Sequence, residues 1–140
     1  DQSRRAVNPG YAKAGETVGF ADGFPLLLAT EESLQDLNGR MSISIGMERF
    51  RPNLVIKGAT AFAEDSWKRI RVGDMEFNVA KPCSRCAIPT IDPATAQKQP
   101  EVFKTLKSYR QRDGDVFFGQ NLLPVGTGTI RAGDPVTILE

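Results

Sequence analysis

Trp67-Lys-Arg-Ile-Arg-Val72 leads into Gly73-Asp74, and Met75-Glu-Phe-Asn-Val79 follows directly. Apolar and polar residues alternate in both runs, which is the pattern of half-buried β-strands. A Gly-Asp pair between two such runs predicts a tight β-hairpin. The strongest local signal in the chain is therefore an antiparallel strand pair.

The same order of residues recurs near the end of the sequence, in Ile130-Arg-Ala-Gly-Asp-Pro-Val-Thr-Ile138. Both stretches contain Ile-Arg-x-Gly-Asp before a strand. Pro135 has no backbone N–H for a ladder hydrogen bond, so it should lie at a strand start or an edge. The repeat is too short for a solenoid and predicts two similar corners of one closed or nearly closed sheet.

The remaining elements are short. Helices are expected over Glu31–Gly39, with Thr30 as its N-cap and Gly39 ending it in the left-handed conformation, and over Pro100–Arg110. Further strands are expected at 24–30, 43–45 and 54–56, a strand or bulge at 117–123, and a loose entry segment at 1–16. Many short strands with two short helices predict a mainly β, barrel-like domain.

Composition excludes several classes of function. The chain has 140 residues, with 18 Lys and Arg against 17 Asp and Glu, a net charge of +1. Such a balance argues against nucleic-acid binding, which usually needs a basic domain. The absence of histidine excludes Ser–His–Asp and Cys–His catalysis and histidine metal sites. No apolar run is long enough to span a membrane.

Two cysteines, Cys83 and Cys86, are the only thiols. They are too few for a disulfide scaffold and supply half of a four-ligand zinc site, so the sequence predicts a reducing, cytoplasmic environment. The chain begins at Asp1 without a signal-like leader, and we expect it to be a piece of a longer protein.

Cys86 is the strongest candidate for chemistry. It follows Arg85, and a cationic neighbour favours the thiolate, the form that attacks or binds soft metals. From spacing alone, a buried structural cysteine explains either thiol better. A thioredoxin-like Cys-x-x-Cys motif is disfavoured because Pro89 and Pro93 oppose a following helix.

Arg49-Phe-Arg-Pro-Asn53 is a second candidate. An extended backbone would point Arg49 and Arg51 to one side, where paired guanidinium groups suit a phosphate or another planar anion. The Asn53 amide can read the edge of a heterocycle. A solvated edge strand with charged residues explains the segment equally well.

Two carboxylate features have ordinary explanations. Glu64 and Asp65 are adjacent and could serve acid–base chemistry, but a loop entering the hairpin, with Trp67 packed against the core, explains them better. Asp92 lies six residues after Cys86, and its most economical role is to form a turn.

Taken together, the motifs resemble the MOSC domain, the C-terminal domain of molybdenum cofactor sulfurases, and most closely its branch of amidoxime-reducing and bacterial N-hydroxylated-compound reductases. The resemblance runs from about residue 20 to the C-terminus. The segments that carry it are Arg49-Phe-Arg-Pro-Asn-Leu-Val-Ile56, Ala63-Glu-Asp-Ser-Trp67, Ile70-Arg-Val-Gly-Asp74, Cys83-Ser-Arg-Cys86, Thr90-Ile-Asp-Pro93, Leu106-Lys-Ser-Tyr-Arg110, Phe118-Gly-Gln-Asn121 and Ile130-Arg-Ala-Gly-Asp-Pro-Val136.

The resemblance implies a MOSC-type β-barrel over 17–140 that binds molybdenum-molybdopterin, with Cys86 as the metal ligand and catalytic residue. It also implies that the cofactor-binding residues are Asp22, Arg49, Arg51, Asn53, Ser84, Arg85, Thr90 and Asp92. Members of this branch carry an additional N-terminal β-rich region that residues 1–16 do not resemble, which leaves cofactor binding by this chain alone open.

The implied activity is reduction of small N-hydroxylated compounds, with electrons from a separate ferredoxin- or cytochrome-type protein. Two alternatives stay open at this point. The chain is a sulfur- or cofactor-carrier module without turnover of its own, or it is a structural domain whose thiols are inert.

Overall fold

The computed structural model describes residues 4–8, 17–20, 25–85, 95 and 97–140, with side chains from residue 25 onward. In these ranges the chain forms ten strands and two α-helices. The strands are β1 (Arg4–Asn8), β2 (Thr17–Phe20), β3 (Leu26–Thr30), β4 (Leu54–Lys57), β5 (Arg69–Val72), β6 (Met75–Arg85), β7 (Gln111–Arg112), β8 (Asp115–Val125), β9 (Gly128–Arg131) and β10 (Pro135–Ile138). The helices are α1 (Glu31–Gly39) and α2 (Pro100–Arg110), and 3-10 helices span Met47–Arg49 and Ala63–Ser66.

The large sheet closes on itself. Its strand order is β3-β4-β1-β10-β5-β6-β8-β7, and β3 pairs with β8 as well as with β4, so β7 alone lies outside the ring. The β3–β4 pairing is parallel, while β2 and β9 form a separate two-stranded sheet. The mainly β, barrel-like architecture expected from the sequence is confirmed.

Two apolar clusters hold the domain together. One fills the ring of strands and includes Phe77, Ile70 and Trp67, which is 9% exposed and packs against the core as expected. The other lies where both helices meet β8 and includes Phe50 and Phe118. Burying these side chains supplies the main driving force for folding.

The hairpin is confirmed, since β5 pairs with β6 across Gly73 and Asp74. Beyond Val79, the predicted end of the second strand, β6 continues to Arg85, and its pairing with β8 shifts register between Val79 and Lys81 and between Pro82 and Ser84. This extension brings the strand as far as the residue before Cys86.

The C-terminal repeat is confirmed in part. Pro135 begins β10, as expected for a residue without a ladder donor. The two Gly-Asp corners are neighbours, because the amide of Gly73 donates to the carbonyl of Pro135 at 3.0 Å. However, β9 pairs with β2 and β10 pairs with β1 and β5, so this corner connects two sheets, not two strands of one.

Thr30 caps α1 as predicted, accepting a hydrogen bond from the amide of Ser33 at 3.2 Å. The left-handed ending at Gly39 is wrong, since the helix ends in a right-handed turn in which Arg40 donates back to Leu37. Sequence patterns do not fix which of several hydrogen-bonded endings a helix adopts.

The strand expected at 43–45 is also wrong, because residues 41–46 are bends and irregular backbone. Here the Asn38 side chain takes the place of a neighbouring strand. Its amide donates to the carbonyl of Ile45 at 3.0 Å and its oxygen accepts from the amide of Ile45 at 2.9 Å. A sequence in which apolar and polar residues alternate can thus pack beneath a helix without pairing with another strand.

The segment 1–16 supplies strand β1, which pairs with β10 and β4 and which the loose composition of that segment did not indicate. The domain division at residue 17 stays a prediction. Both alternatives at 117–123 are present, because these residues lie in strand β8 and the pairing with β6 shifts register at Phe118 and Gly119, where Gly119 has a φ of 87°. None of the helices described is long and apolar enough to cross a membrane.

Candidate functional site

The loop between the 3-10 helix and β4 carries Arg51 in an unusual backbone conformation. Its φ is 52°, in the left-handed region, whereas the extended backbone predicted for 49–51 would require a negative φ. That prediction is wrong: Arg49 ends a 3-10 helix and Phe50 is right-handed. A left-handed arginine is strained by about 1–2 kcal/mol and persists only where neighbouring contacts fix it.

Contacts fix the chain on both sides of Arg51, at Phe50 before it and at Asn53 two residues after it. Phe50 is 1% exposed, and its ring stacks on Phe118 with 4.0 Å between centroids. On the other side, Asn53 forms a two-way link with Leu27, whose amide donates to Asn53 Oδ1 and whose carbonyl accepts from the Asn53 amide, both at 2.8 Å. The Arg51 side chain is exposed and forms no hydrogen bond or ion pair with any described residue.

Arg85 connects this loop to the end of β6. Its Nη1 donates to the Phe50 carbonyl at 3.1 Å and its Nε donates to the Phe118 carbonyl at 2.9 Å. Arg51 follows Phe50 in the chain and Cys86 follows Arg85. The sequence hypothesis depends most on Arg51 and Cys86. Each of them therefore directly follows one residue of the hydrogen-bonded pair Phe50 and Arg85 in the chain.

The other candidate residues are distributed as follows. Arg49 Nη2 donates to Gln99 Oε1, which directs it toward the segment before α2. Ser84 is exposed on β6 and lies opposite Phe117 of β8 in the ladder. The predicted site residues Asp22, Cys86, Thr90 and Asp92 lie outside the described residues. Thus the structure brings Arg51, Asn53 and Arg85 together around one loop.

A carboxylate network that the sequence did not predict joins three of the motif segments. Asp65 Oδ2 accepts from Arg110 Nη2 and Asp65 Oδ1 accepts from the buried Gln120 Nε2, both at 2.8 Å. Arg110 also donates from Nε to the Phe117 carbonyl at 3.1 Å, and its guanidinium lies 3.9 Å from the centroid of the Phe62 ring. This network fixes the end of α2 against β8.

A cavity of about 160 Å³ lies beside this network and is lined by Asp65, Tyr109, Arg110, Gln111, Arg112 and Phe117. Partial burial and the nearby Asp36 carboxylate raise the pKa of Tyr109 to about 12. The phenol is therefore protonated at neutral pH and available only as a neutral hydrogen-bonding group.

Glu64 is fully buried, which its position in the segment entering the hairpin did not indicate. Its Oε2 accepts from the Ser33 hydroxyl at 2.7 Å, and the Thr30 hydroxyl lies 3.2 Å from both carboxylate oxygens. Burial raises the pKa of Glu64 above its ordinary value, and the hydrogen bond from Ser33 opposes this. The cluster joins the start of α1 to the 3-10 helix that carries Asp65.

A nearly closed β-sheet, with the loop of Arg51 hydrogen-bonded through Phe50 to the end of β6, defines the class as a β-barrel domain. The family model described as MOSC domain matches residues 15–137. The chain belongs to the MOSC domain family, as the motif resemblance predicted.

Two human proteins illustrate the relationship. Mitochondrial amidoxime-reducing component 1 of Homo sapiens is 40% identical over 133 residues, which are 89% of this chain and 40% of that protein. Mitochondrial amidoxime reducing component 2 of Homo sapiens is 41% identical over 130 residues, 85% of this chain and 38% of that protein. The chain thus spans about two fifths of the length of these curated relatives.

Solved structures support the fold. The crystal structure of YiiM from Geobacillus stearothermophilus superposes with a TM-score of 0.65 at 16% sequence identity, covering 99% of this chain and 76% of that one. At this identity the likeness establishes the architecture alone.

Proposed function

We propose that this chain is the molybdenum-cofactor-binding part of an oxidoreductase that reduces small N-hydroxylated compounds. The relatives at about 40% identity are called amidoxime-reducing components, and an amidoxime is an N-hydroxylated compound. The observation that carries the proposal is the Arg85–Phe50 hydrogen bond, which joins the loop of Arg51 to the strand that leads to Cys86.

The chemistry of the donor set fits the cofactor. Molybdopterin is anionic through its phosphate, and an exposed guanidinium without a carboxylate partner among the described residues suits such a group. Cys86 would supply a soft thiolate to the metal, favoured by the cationic residue before it. When bound, the cofactor would supply a redox-active metal that removes the oxygen from the substrate nitrogen.

The chain's own residues have separable tasks in this proposal. Arg51 binds the anionic end of the cofactor, Cys86 holds the metal, and Ser84 lies on the strand just before it. Asp22, Arg49, Thr90 and Asp92 stay predictions for the remaining cofactor contacts.

Electrons would come from a separate ferredoxin- or cytochrome-type protein, as the resemblance to the reductase branch implies. The relatives' names place those proteins in mitochondria, and the cytoplasmic location predicted for this chain stays a prediction.

Removing the Arg51 guanidinium should deplete the cofactor without unfolding the loop. Asparagine tolerates the left-handed conformation, so Arg51→Asn should retain the backbone and lose about tenfold or more of the bound molybdenum and pterin. Arg51→Lys retains the positive charge but not the planar guanidinium, so its cofactor content should lie between those of the wild type and Arg51→Asn. The measurement is metal and pterin per chain after purification from a cofactor-producing host.

Arg131, an exposed arginine of β9, provides the matched control, and Arg131→Asn should load like the wild type. Equal cofactor content in the Arg51→Asn and wild-type chains would contradict the proposed role. A wild-type chain that carries no pterin would contradict the proposed function itself.

A further inference from the structure

We infer that the cavity beside the Asp65–Arg110 pair binds a small carboxylate that is attached to a single flat ring. The cavity lies where the end of α2 meets β7 and β8, and none of its described walls belongs to the predicted cofactor contacts. It is therefore a second ligand site, and the inference does not depend on the proposed function.

The size of the cavity suits one ring. Its volume is about 160 Å³, and a protein cavity of about 150 Å³ can hold a benzene molecule. The partly buried side chains of Tyr109 and Phe117 are two of the walls. Aromatic walls favour a ligand with a flat apolar surface that can pack against them. We therefore expect a ligand with one ring and few other atoms.

Arg110 offers the cavity a guanidinium that is already held in place. Its Nε donates to the Phe117 carbonyl, its Nη2 pairs with Asp65, and the guanidinium lies against the Phe62 ring. These contacts leave Nη1 without a partner among the residues that the structure describes. Because the side chain is already ordered, a hydrogen bond from Nη1 to a ligand costs little further conformational entropy.

Arg112 supplies a second guanidinium on the same cavity. It is exposed on β7, and its guanidinium carbon lies 5.2 Å from the centroid of the Phe117 ring. Asp115 lies opposite Arg112 in the ladder, yet within the described part of the chain the two form no ion pair. A guanidinium can donate two parallel hydrogen bonds to a carboxylate, and here the ring of such a ligand would lie beside Phe117.

The charge of the described walls favours an anion. Asp65 is the carboxylate among them, and both of its oxygens are occupied, by Arg110 and by Gln120, at 2.8 Å each. Two guanidinium groups against one carboxylate leave one positive charge without compensation, that of Arg112. A cationic ligand would meet this charge, whereas a carboxylate would neutralise it.

Benzoate is the simplest probe of this ligand class. In an NMR titration of the isotope-labelled chain, it should shift the amides of Gln111, Arg112 and Phe117, with a dissociation constant on the order of 1 mM. Benzamide has the same ring without the charge, and inorganic phosphate has charge without the ring. Each should bind at least about tenfold more weakly than benzoate. Equal affinity for benzoate and either of them would overturn the assigned ligand class.

Arg112→Gln removes the uncompensated charge at an exposed position and should leave the fold intact. Its affinity for benzoate should fall by about tenfold or more. Arg112→Lys retains the charge but not the planar guanidinium, so its affinity should lie between those of the wild type and Arg112→Gln. Arg131→Gln, at an exposed arginine of β9, is the matched control and should bind like the wild type. Equal affinity in the Arg112→Gln and wild-type chains would overturn the inference.

A further variant separates this cavity from the loop of Arg51, since that guanidinium also suits an anion. Arg51→Asn should bind benzoate with wild-type affinity, because Arg51 is not among the described walls. Loss of binding in this variant, with benzoate shifting the wild-type amide of Asn53 in place of Gln111, would assign the anion to the loop and overturn the inference. Arg112→Gln should in turn retain the cofactor content of the wild type, so each proposal can fail without the other.

Discussion

A Cys86→Ser chain purified from a cofactor-producing host is expected to contain less than about one tenth of the molybdenum found in the wild type. Serine occupies the same space, but its hydroxyl is not a soft ligand and does not ionise near neutral pH as a thiol does. If Cys86 is the protein ligand, one sulfur atom determines whether the metal stays. Elemental analysis with pterin quantification on the same samples measures this.

Cys83 is the natural control because it is the other cysteine and lies three residues before Cys86 in the sequence. It is half-buried, and its Sγ lies 3.7 Å from the Ser84 carbonyl oxygen. Cys83→Ser should load like the wild type. Equal molybdenum in the Cys86→Ser and wild-type chains would remove Cys86 from the site.

Truncating Glu64 should be the most destabilising change in the described polar clusters. Glu64→Ala would leave the Ser33 hydroxyl without its acceptor and open a cavity between α1 and the adjacent 3-10 helix, whereas the Thr30 hydroxyl would still have Ser33 Oγ at 2.7 Å. An unsatisfied buried hydroxyl together with lost packing predicts a fall of about 3–4 kcal/mol in the free energy of unfolding. Urea denaturation of the two proteins measures it, and a change below about 1 kcal/mol would contradict the account.

Glu64→Gln should instead be tolerated, with a dependence on pH that reports the buried charge. The folded-state pKa of Glu64 is raised above its ordinary 4.5, so folding favours the protonated form. The wild type should match Glu64→Gln most closely below that ordinary pKa and lose stability relative to it as pH rises through the folded-state value. A stability difference that is constant between pH 4 and pH 8 would contradict the raised pKa.

Local patterns predicted the elements that depend on near neighbours in the chain. The hairpin at Gly73, the cap at Thr30 and the bounds of α2 each follow from residues a few positions apart. The family motifs add the fold as a whole, since a match over 15–137 leaves little of the chain unassigned.

Features that depend on residues far apart in the chain could not be predicted from the sequence. Strand β1 exists because β4 and β10 flank it, and Ile45 lacks a strand because Asn38 satisfies its backbone. The left-handed Arg51 lies between residues that are fixed by distant partners, since Phe50 contacts Arg85 and Phe118 and Asn53 bonds to Leu27. The sequence could therefore single out Arg51 as a candidate site residue, but it could not predict the backbone conformation of Arg51.

The candidate site shows the same division. Residue chemistry singled out Cys86 and Arg51, while the pairing of Asp65 with Arg110 and Gln120 required the fold, because each residue belongs to a different motif. The hydrogen bonds of Arg85 to the carbonyls of Phe50 and Phe118 likewise join residues that no local pattern brings together.

The most direct test compares alkylation of the two thiols in one molecule, with and without bound molybdenum. A thiolate that ligates a metal is not free to react with iodoacetamide, whereas its neighbour is unaffected. We predict that Cys86 labels rapidly in the metal-free chain and slowly in the loaded chain, while Cys83 labels at one rate in both. Equal labelling of Cys86 in the two forms would show that the sulfur at position 86 does not hold the metal.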